Sequence, residues 1–354
     1  SNIPKLRFPE FKGEWEEKKL GGCLTLLYGK DWKDKSSTKK LYPVLGTGGV
    51  ISYIDEFIYD KPCVLIGRKG SINNPVFIDK PFWTVDTQFY SEIHEGYSPK
   101  FLYYIFCTEN WSKHDESTGV PSLSAKNVEN THKHIPSYSE QQKIADFLSN
   151  VDSIITAETK ILNTLHKKKK ALMQKLFTRQ LRFKSDDGTD FPAWEEKKLG
   201  DVCSYIGGGT PSKKVKEYWN GNINWASVKD ITGKYLYETQ DKISQLGADS
   251  SATNICEPDS LLLITRMSPG KTVITKCITA INQDLKIVKS YINVEFLHLL
   301  FQSIQTKIDE KTSGTTVKGI SIEGLNQIDI RLPCKAEQQK IADCLSSLDS
   351  LIQN

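Results

Sequence analysis

Two segments of this chain occur twice. Trp15-Glu16-Glu17-Lys18-Lys19-Leu20-Gly21 returns as Trp194-Glu195-Glu196-Lys197-Lys198-Leu199-Gly200, and Glu140-Gln141-Gln142-Lys143-Ile144-Ala145-Asp146 returns as Glu337-Gln338-Gln339-Lys340-Ile341-Ala342-Asp343. Between these anchors the halves look unlike each other. A long-period duplication with fixed ends and a divergent middle is not a solenoid, whose repeats are much shorter. It describes two copies of one scaffold carrying different inserts, which suits two different contacts made from one frame. Weaker echoes align the middle. Phe101–Phe106 matches Phe296–Phe301, Gln88 falls opposite Gln283, Leu65-Ile66-Gly67-Arg68 opposite Leu263-Ile264-Thr265-Arg266, and Pro136 opposite Pro333. The offset grows between the module start and the Leu-Ile-x-Arg segment, so the second insert is longer, with the extra length between Cys203 and Leu263.

The 354 residues accommodate two such modules. Charged residues at 25% and aromatics at 10% are ordinary for a soluble protein with real cores. No apolar run approaches the ~20 residues that cross a membrane, and the start lacks the pattern of a signal peptide. The 8 cysteines are scattered without a CxxC pair, so no metal site is expected and a reducing cytoplasm is. Lys+Arg at 47 against Asp+Glu at 43 permits nucleic-acid binding without demanding it.

Gly and Pro punctuate short apolar runs such as Val64-Leu65-Ile66 and Leu261-Leu262-Leu263-Ile264, which read as buried strands. From Glu140 to Leu181 there is no Gly or Pro. Leu148, Val151, Ile155, Leu162, Leu165, Leu172 and Leu176 form a heptad seam, which predicts a long coiled-coil helix. The expected fold is α+β: a tandem duplication of a mixed domain followed by a scaffold helix. The expected segments are a first domain at 1–138, a scaffold helix at 139–184, a second domain at 185–335 and the start of a second scaffold helix at 336–354.

Several motifs imitate chemistry. Met267-Ser268-Pro269-Gly270-Lys271-Thr272 ends like a P-loop, but Thr265 stands where the first Gly belongs. Asn74-Pro75-Val76-Phe77 resembles an adenine-methyltransferase loop without its second Pro, and reads more simply as a turn. Gly46-Thr47-Gly48-Gly49 and Gly207-Gly208-Gly209-Thr210 are anion nests or flexible turns. His132 and His134 lack further clustered ligands. The Lys167–Lys170 run is a contact for DNA or a partner, or a solvated helix face.

Together the two Glu-Gln-Gln-Lys-Ile-Ala-Asp helix starts, each preceded by a Pro, and the Trp-Glu-Glu-Lys-Lys-Leu-Gly entries resemble the specificity subunit of type I restriction-modification systems. Gly207–Ser212, followed by Tyr218-Trp219-Asn220-Gly221 and Ile223-Asn224-Trp225, is similar to the opening of that family's target-recognition domains. The resemblance implies two such domains, each reading half of a split DNA target. It also implies two antiparallel scaffold helices that dock two methyltransferase subunits, together with a restriction subunit. By the same resemblance this chain catalyses nothing and holds no cofactor; S-adenosylmethionine, ATP and Mg belong to the partners. Two readers on one DNA face lie about 34 Å apart or a multiple of it, which a rigid helical pair can set.

Residues shared by both modules cannot discriminate different half-sites, so Arg68 and Arg266 read as phosphate contacts or internal ion pairs. Discrimination is expected from Lys30, Lys33, Lys35, Ser36, Thr38 and Lys39 in the first module. In the second it is expected from Thr210, Ser212, Lys213, Lys214, Lys229 and Lys271. Because the second helix is only begun, Leu165, Leu172 and Leu176 are expected to be covered by another chain, either a methyltransferase subunit or a second copy in a homodimer; the alternative is packing on the second domain. A competing function is a duplicated protein-binding adaptor without a DNA role. A nuclease acting alone ranks last, because Glu17 with Lys19, or Glu196 with Lys198, lacks an acidic partner at nuclease-like spacing.

Overall fold

The computed structural model describes residues 4–353; residues 1–3 and 354, at the outer ends of the first and last expected segments, lie outside the described residues. The chain divides into two compact units, Ser1–Glu158 and Thr159–Asn354.

In the first unit a four-stranded antiparallel sheet runs in the order Leu24–Tyr28, Gln88–Ile93, Cys63–Gly67, Val76–Ile78. A three-stranded sheet has Tyr42–Gly46 at its centre, antiparallel to Gly49–Ile54 and parallel to Trp83–Thr84. Glu16–Lys19 pairs with His132–Ile135. The second unit repeats each sheet with the same order and directions. Cys203–Gly207, Leu285–Ser290, Leu261–Ile264 and Thr272–Thr275 form one. Asp241–Ile243, Ile223–Ala226 and Thr279–Ile281 form another, and Glu195–Lys198 pairs with Asp329–Leu332. Two strands are additional: Tyr235–Leu236 and Asn254–Cys256 each extend one edge. Both come from the stretch between Cys203 and Leu263, so the extra length of the second insert builds sheet edges.

The central strands are buried on both faces, because alternate side chains enter different cores. Val64 and Ile66 meet Phe101, Leu102 and Phe106 of the helix Pro99–Thr108, whereas Cys63 and Leu65 meet Phe82 and Tyr90. In the second unit Leu261 and Leu263 meet Phe296 and Phe301 of the helix Val294–Ser303, and Leu262 and Ile264 meet the other core. This corrects the alignment of Leu65 with Leu263: the two face opposite cores, and a one-residue slip in a strand exchanges faces. Leu65 corresponds to Leu262. The flanking hydrogen bonds agree. Arg68 N donates to Thr87 O at 2.8 Å, and Thr265 N to Asp284 O at 2.9 Å. Lys69 bridges Ser122 as Arg266 bridges Gly319. Arg266 is therefore the counterpart of Lys69, and Arg68 of Thr265. Gln88, paired with Gly67, corresponds to Leu285, paired with Ile264, and not to Gln283.

One core position is filled from opposite strands. Trp83 pairs with Val44 across the parallel ladder, and Trp225 with Ala280. The Trp83 indole donates to Lys30 O at 2.9 Å and the Trp225 indole to Gly209 O at 3.1 Å. Both acceptors follow a glycine that admits no side chain: a Cβ would lie 2.1 Å from Val85 O at Gly29 and 2.3 Å from Asn282 O at Gly208.

The repeated anchors have a shared physical cause. Glu140 and Glu337 are 1% and 0% exposed, and an unpaired buried carboxylate is costly. Arg7 grips Glu140 through Nε and Nη2, both at 2.7 Å, and Trp15 Nε1 donates at 3.2 Å. Arg182 grips Glu337 at 3.1 and 2.7 Å, and Trp194 Nε1 donates at 3.0 Å. The buried Gln141 and Gln338 accept from the backbone N–H of Ser98 and Asn293, the N-caps of the two domain helices, and donate to Pro136 O and Pro333 O. Trp-Glu-Glu and Glu-Gln-Gln thus clamp each long helix to its own domain. A third repeat, Leu6-Arg7-Phe8 returning as Leu181-Arg182-Phe183, carries the two arginines.

The long helix spans Tyr138–Phe177 and the last one Lys335–Gln353. Leu176 is 1% exposed in the second unit's core, with Ile341, Ala342 and Leu345, and Leu172, Met173 and Phe177 pack against it. Lys169 pairs with Asp349, and Arg182 with Glu337. As one number rises the other falls, so the last helix runs antiparallel to this end of the long helix. Leu172 and Leu176 are therefore covered by the chain itself, which corrects the expectation of a partner there and removes the basis for a homodimer through them; Leu165 is half-buried. The exposed apolar residues lie earlier on the helix. In the first unit Phe147, Val151, Ile154 and Ile155 are exposed on one face; Val151 is exposed where its counterpart Leu348 packs on a core.

Candidate nucleic-acid interface

At one end of each unit's sheets the loops converge. In the first unit Lys30 N donates to Thr84 O, Arg68 N and Lys69 N to Thr87 O, and Gly70 N to Pro121 O. The turn Gly46-Thr47-Gly48-Gly49 joins two strands of one hairpin, with Gly49 at φ +113°, and Thr47 approaches Gly70. Arg68 stacks on Tyr28, 5.5 Å from the ring centroid, and donates to Asp86 O at 2.9 Å. Tyr28 is 53% exposed, so ring and guanidinium together form a surface platform. Lys30 and Lys69 are exposed beside it.

The equivalent end of the second unit carries other groups. Thr210 Oγ1 donates to Gln283 Oε1 at 2.6 Å, and Arg266 pairs with Asp284 at 3.4 Å. Lys271 and Lys318 are exposed, and Met267 N donates to Lys318 O at 2.8 Å. The structure thus brings Lys30 and Arg68 together, and Thr210 and Arg266. Lys69, Lys318 and Gln283 join them as further candidates; the one-residue slip concealed the match of Lys69 with Arg266.

The remaining candidates lie in the inserts. Asp55 accepts from Ser36 Oγ and from the amides of Thr38, Lys39 and Lys40, and the Ser36 hydroxyl and these amides hold its carboxyl below the usual range. Ser36 and the Thr38 amide shape this loop, while the Lys33 and Lys39 side chains are exposed. Lys35 is half-buried, pairing with Glu56 at 3.1 Å and lying over Trp83. In the second unit Lys213 lies 6.0 Å from the Trp219 ring centroid, whose indole donates to Ser212 O. Lys213, Lys216, Trp219, Asn220, Asp241 and Lys242 line a basic hollow of about 470 Å³. Lys214 is exposed nearby in sequence, and Lys229 is bound to Asp241 at 2.8 Å, which raises its pKa. Lysines around indoles are a chemistry that phosphates and bases both accept.

The two units now stand as homologous domains with different surfaces, and one comparison decides what they are. The sequence profile described as the type I restriction modification DNA specificity domain matches residues 12–167 and again 193–354. The chain belongs to the type I restriction-modification specificity family. Curated members resemble it in part or throughout. The MjaIX specificity subunit of Methanocaldococcus jannaschii is 32% identical over 186 residues, 50% of this chain and 43% of that one. The EcoR124I/EcoR124II specificity subunit of Escherichia coli is 31% identical over 44% of this chain and 41% of its own length. The chain spans less than half the length of these two relatives. The MjaVIII specificity subunit of M. jannaschii is 25% identical over 98% of this chain and 88% of its own. Among solved structures, the type I S subunit of M. genitalium shares the fold at a TM-score of 0.70 and 16% identity, over 99% of this specificity chain and 93% of that one. No helix among the described residues is long and apolar enough to cross a membrane.

Proposed function

We propose that this chain is the sequence-reading component of a type I restriction-modification complex: each domain binds one half of a split duplex DNA target through its loop end and its lysine-bearing insert. The observation that carries this reading is one strand order presented twice with different polar groups at the same end, Arg68 and Lys69 against Thr210, Gln283 and Arg266. Two unlike readers in one chain suit an asymmetric, interrupted sequence. The functional division follows the segments 1–138, 139–184, 185–335 and 336–354.

Two methyltransferase subunits, which use S-adenosylmethionine, and a restriction subunit, which uses ATP and Mg, supply the chemistry, and this chain supplies none. The first unit's exposed helix face, Phe147, Val151, Ile154 and Ile155, is the better docking surface than Leu172 or Leu176. Duplex binding by the purified chain tests the reading. Affinity should fall steeply with salt, with a log–log slope of about −0.9 per phosphate neutralised. The chain alone should incorporate no labelled methyl groups into DNA. Binding that is absent, or indifferent to salt, would favour the protein-adaptor reading instead.

A further inference from the structure

Met267 has an unusual backbone for its residue type. Its φ is +72°, a left-handed conformation that costs free energy for any residue with a Cβ. The counterpart in the first unit is Gly70, at φ +85°, for which the conformation is free of that cost. The equivalence is fixed by hydrogen bonding: Gly70 N donates to Pro121 O and Met267 N to Lys318 O, each at 2.8 Å. The second domain therefore holds a long apolar side chain where the backbone calls for glycine. That side chain is not filling a core, because Met267 is 63% exposed.

Its surroundings say what it could meet. Arg266 precedes it and Lys318 lies across the backbone bond, both exposed. Val317, 44% exposed, adjoins Lys318. An exposed, flexible thioether beside Lys318 and beside an Arg266 paired with Asp284 lies where a polyanion would be drawn in. On the proposed reading of the chain as a duplex-DNA reader, the apolar feature a base edge offers is the thymine C5-methyl group in the major groove. We infer that Met267 is a specificity-determining residue of the second domain, and that it makes an apolar contact with a thymine methyl in one position of that domain's half-site.

The experiment selects bound duplexes from a randomised pool with the full chain, as wild type, Met267→Gly and Met267→Leu. Met267→Gly should keep an unfolding midpoint at or above the wild type's, because the backbone strain is relieved. It should lose preference at one A·T pair of one half-site and leave the other half-site intact. Met267→Leu should retain that preference. Replacing the thymine there by deoxyuridine should weaken wild-type binding about fourfold, the effect of one lost methyl contact, and leave Met267→Gly unaffected. An unchanged motif for Met267→Gly, or a wild type indifferent to the methyl, overturns the inference while the DNA-reading function stands. A wild type that selects no motif at all overturns the function itself, and the inference with it.

Discussion

Replacing Glu337 by alanine is expected to destabilise the second unit by about 3 kcal/mol, the lower end of the cost of breaking a buried ion pair from one side. The carboxylate is 0% exposed and accepts from Arg182 and from Trp194 Nε1. Its removal strands an indole N–H and a guanidinium together. Arg182 retains 29% of its side-chain exposure and two backbone carbonyl partners, Phe191 O and Pro192 O, which keeps the loss from being larger. Glu337→Gln should lose less, because it still offers an acceptor to the indole. Hydrogen exchange of the amides in Glu195–Lys198 and Asp329–Leu332, read alongside urea unfolding, localises the effect. A loss below about 1 kcal/mol would mean that the clamp is not what the repeated Trp and Glu maintain.

Leu176→Asp should cost more, above about 4 kcal/mol, since it removes a packed leucine and buries a charge without a partner. Leu176 is 1% exposed among Ile341, Ala342 and Leu345. Leu165→Asp, at a half-buried position, should cost far less. Sedimentation and thermal unfolding of both variants distinguish an intrachain seam from an interface. If Leu176→Asp left stability unchanged and altered only the mass, these leucines would be meeting another chain after all.

The duplication, the α+β class and the long helix were legible because they rest on signals with little competition: identical anchors, and a Gly- and Pro-free stretch with heptad spacing. The finer register was not. Val64-Leu65-Ile66 and Leu261-Leu262-Leu263-Ile264 are apolar at every position because both faces are buried, so nothing in their pattern says which face a residue takes. The shared Arg then drew the alignment one residue out of place. Arg68 and Arg266 are not equivalents, and the reason for withholding base discrimination from them disappears. The helix seam misled differently. Heptad spacing marks an apolar stripe but not what covers it: within the second unit antiparallel pairing places the last helix over Leu172 and Leu176, whereas Val151, Ile155 and Leu162 of the same stripe are exposed. The hydrogen bonds between Thr210 and Gln283, and between Asp55 and the Ser36–Lys40 loop, join residues whose meeting no local pattern announces.

The central claim is that the two units read separate halves of one interrupted target. Mapping methylated adenine in cells expressing this chain with its methyltransferase tests it, using wild type, a first-unit variant with Arg68→Ala and Lys69→Ala, and a second-unit variant with Arg266→Ala and Lys271→Ala. The expected result is one split motif for the wild type, with each variant weakening or relaxing one half only, the two variants affecting opposite halves and the spacer unchanged. A single undivided motif, or either variant altering both halves alike, would contradict it.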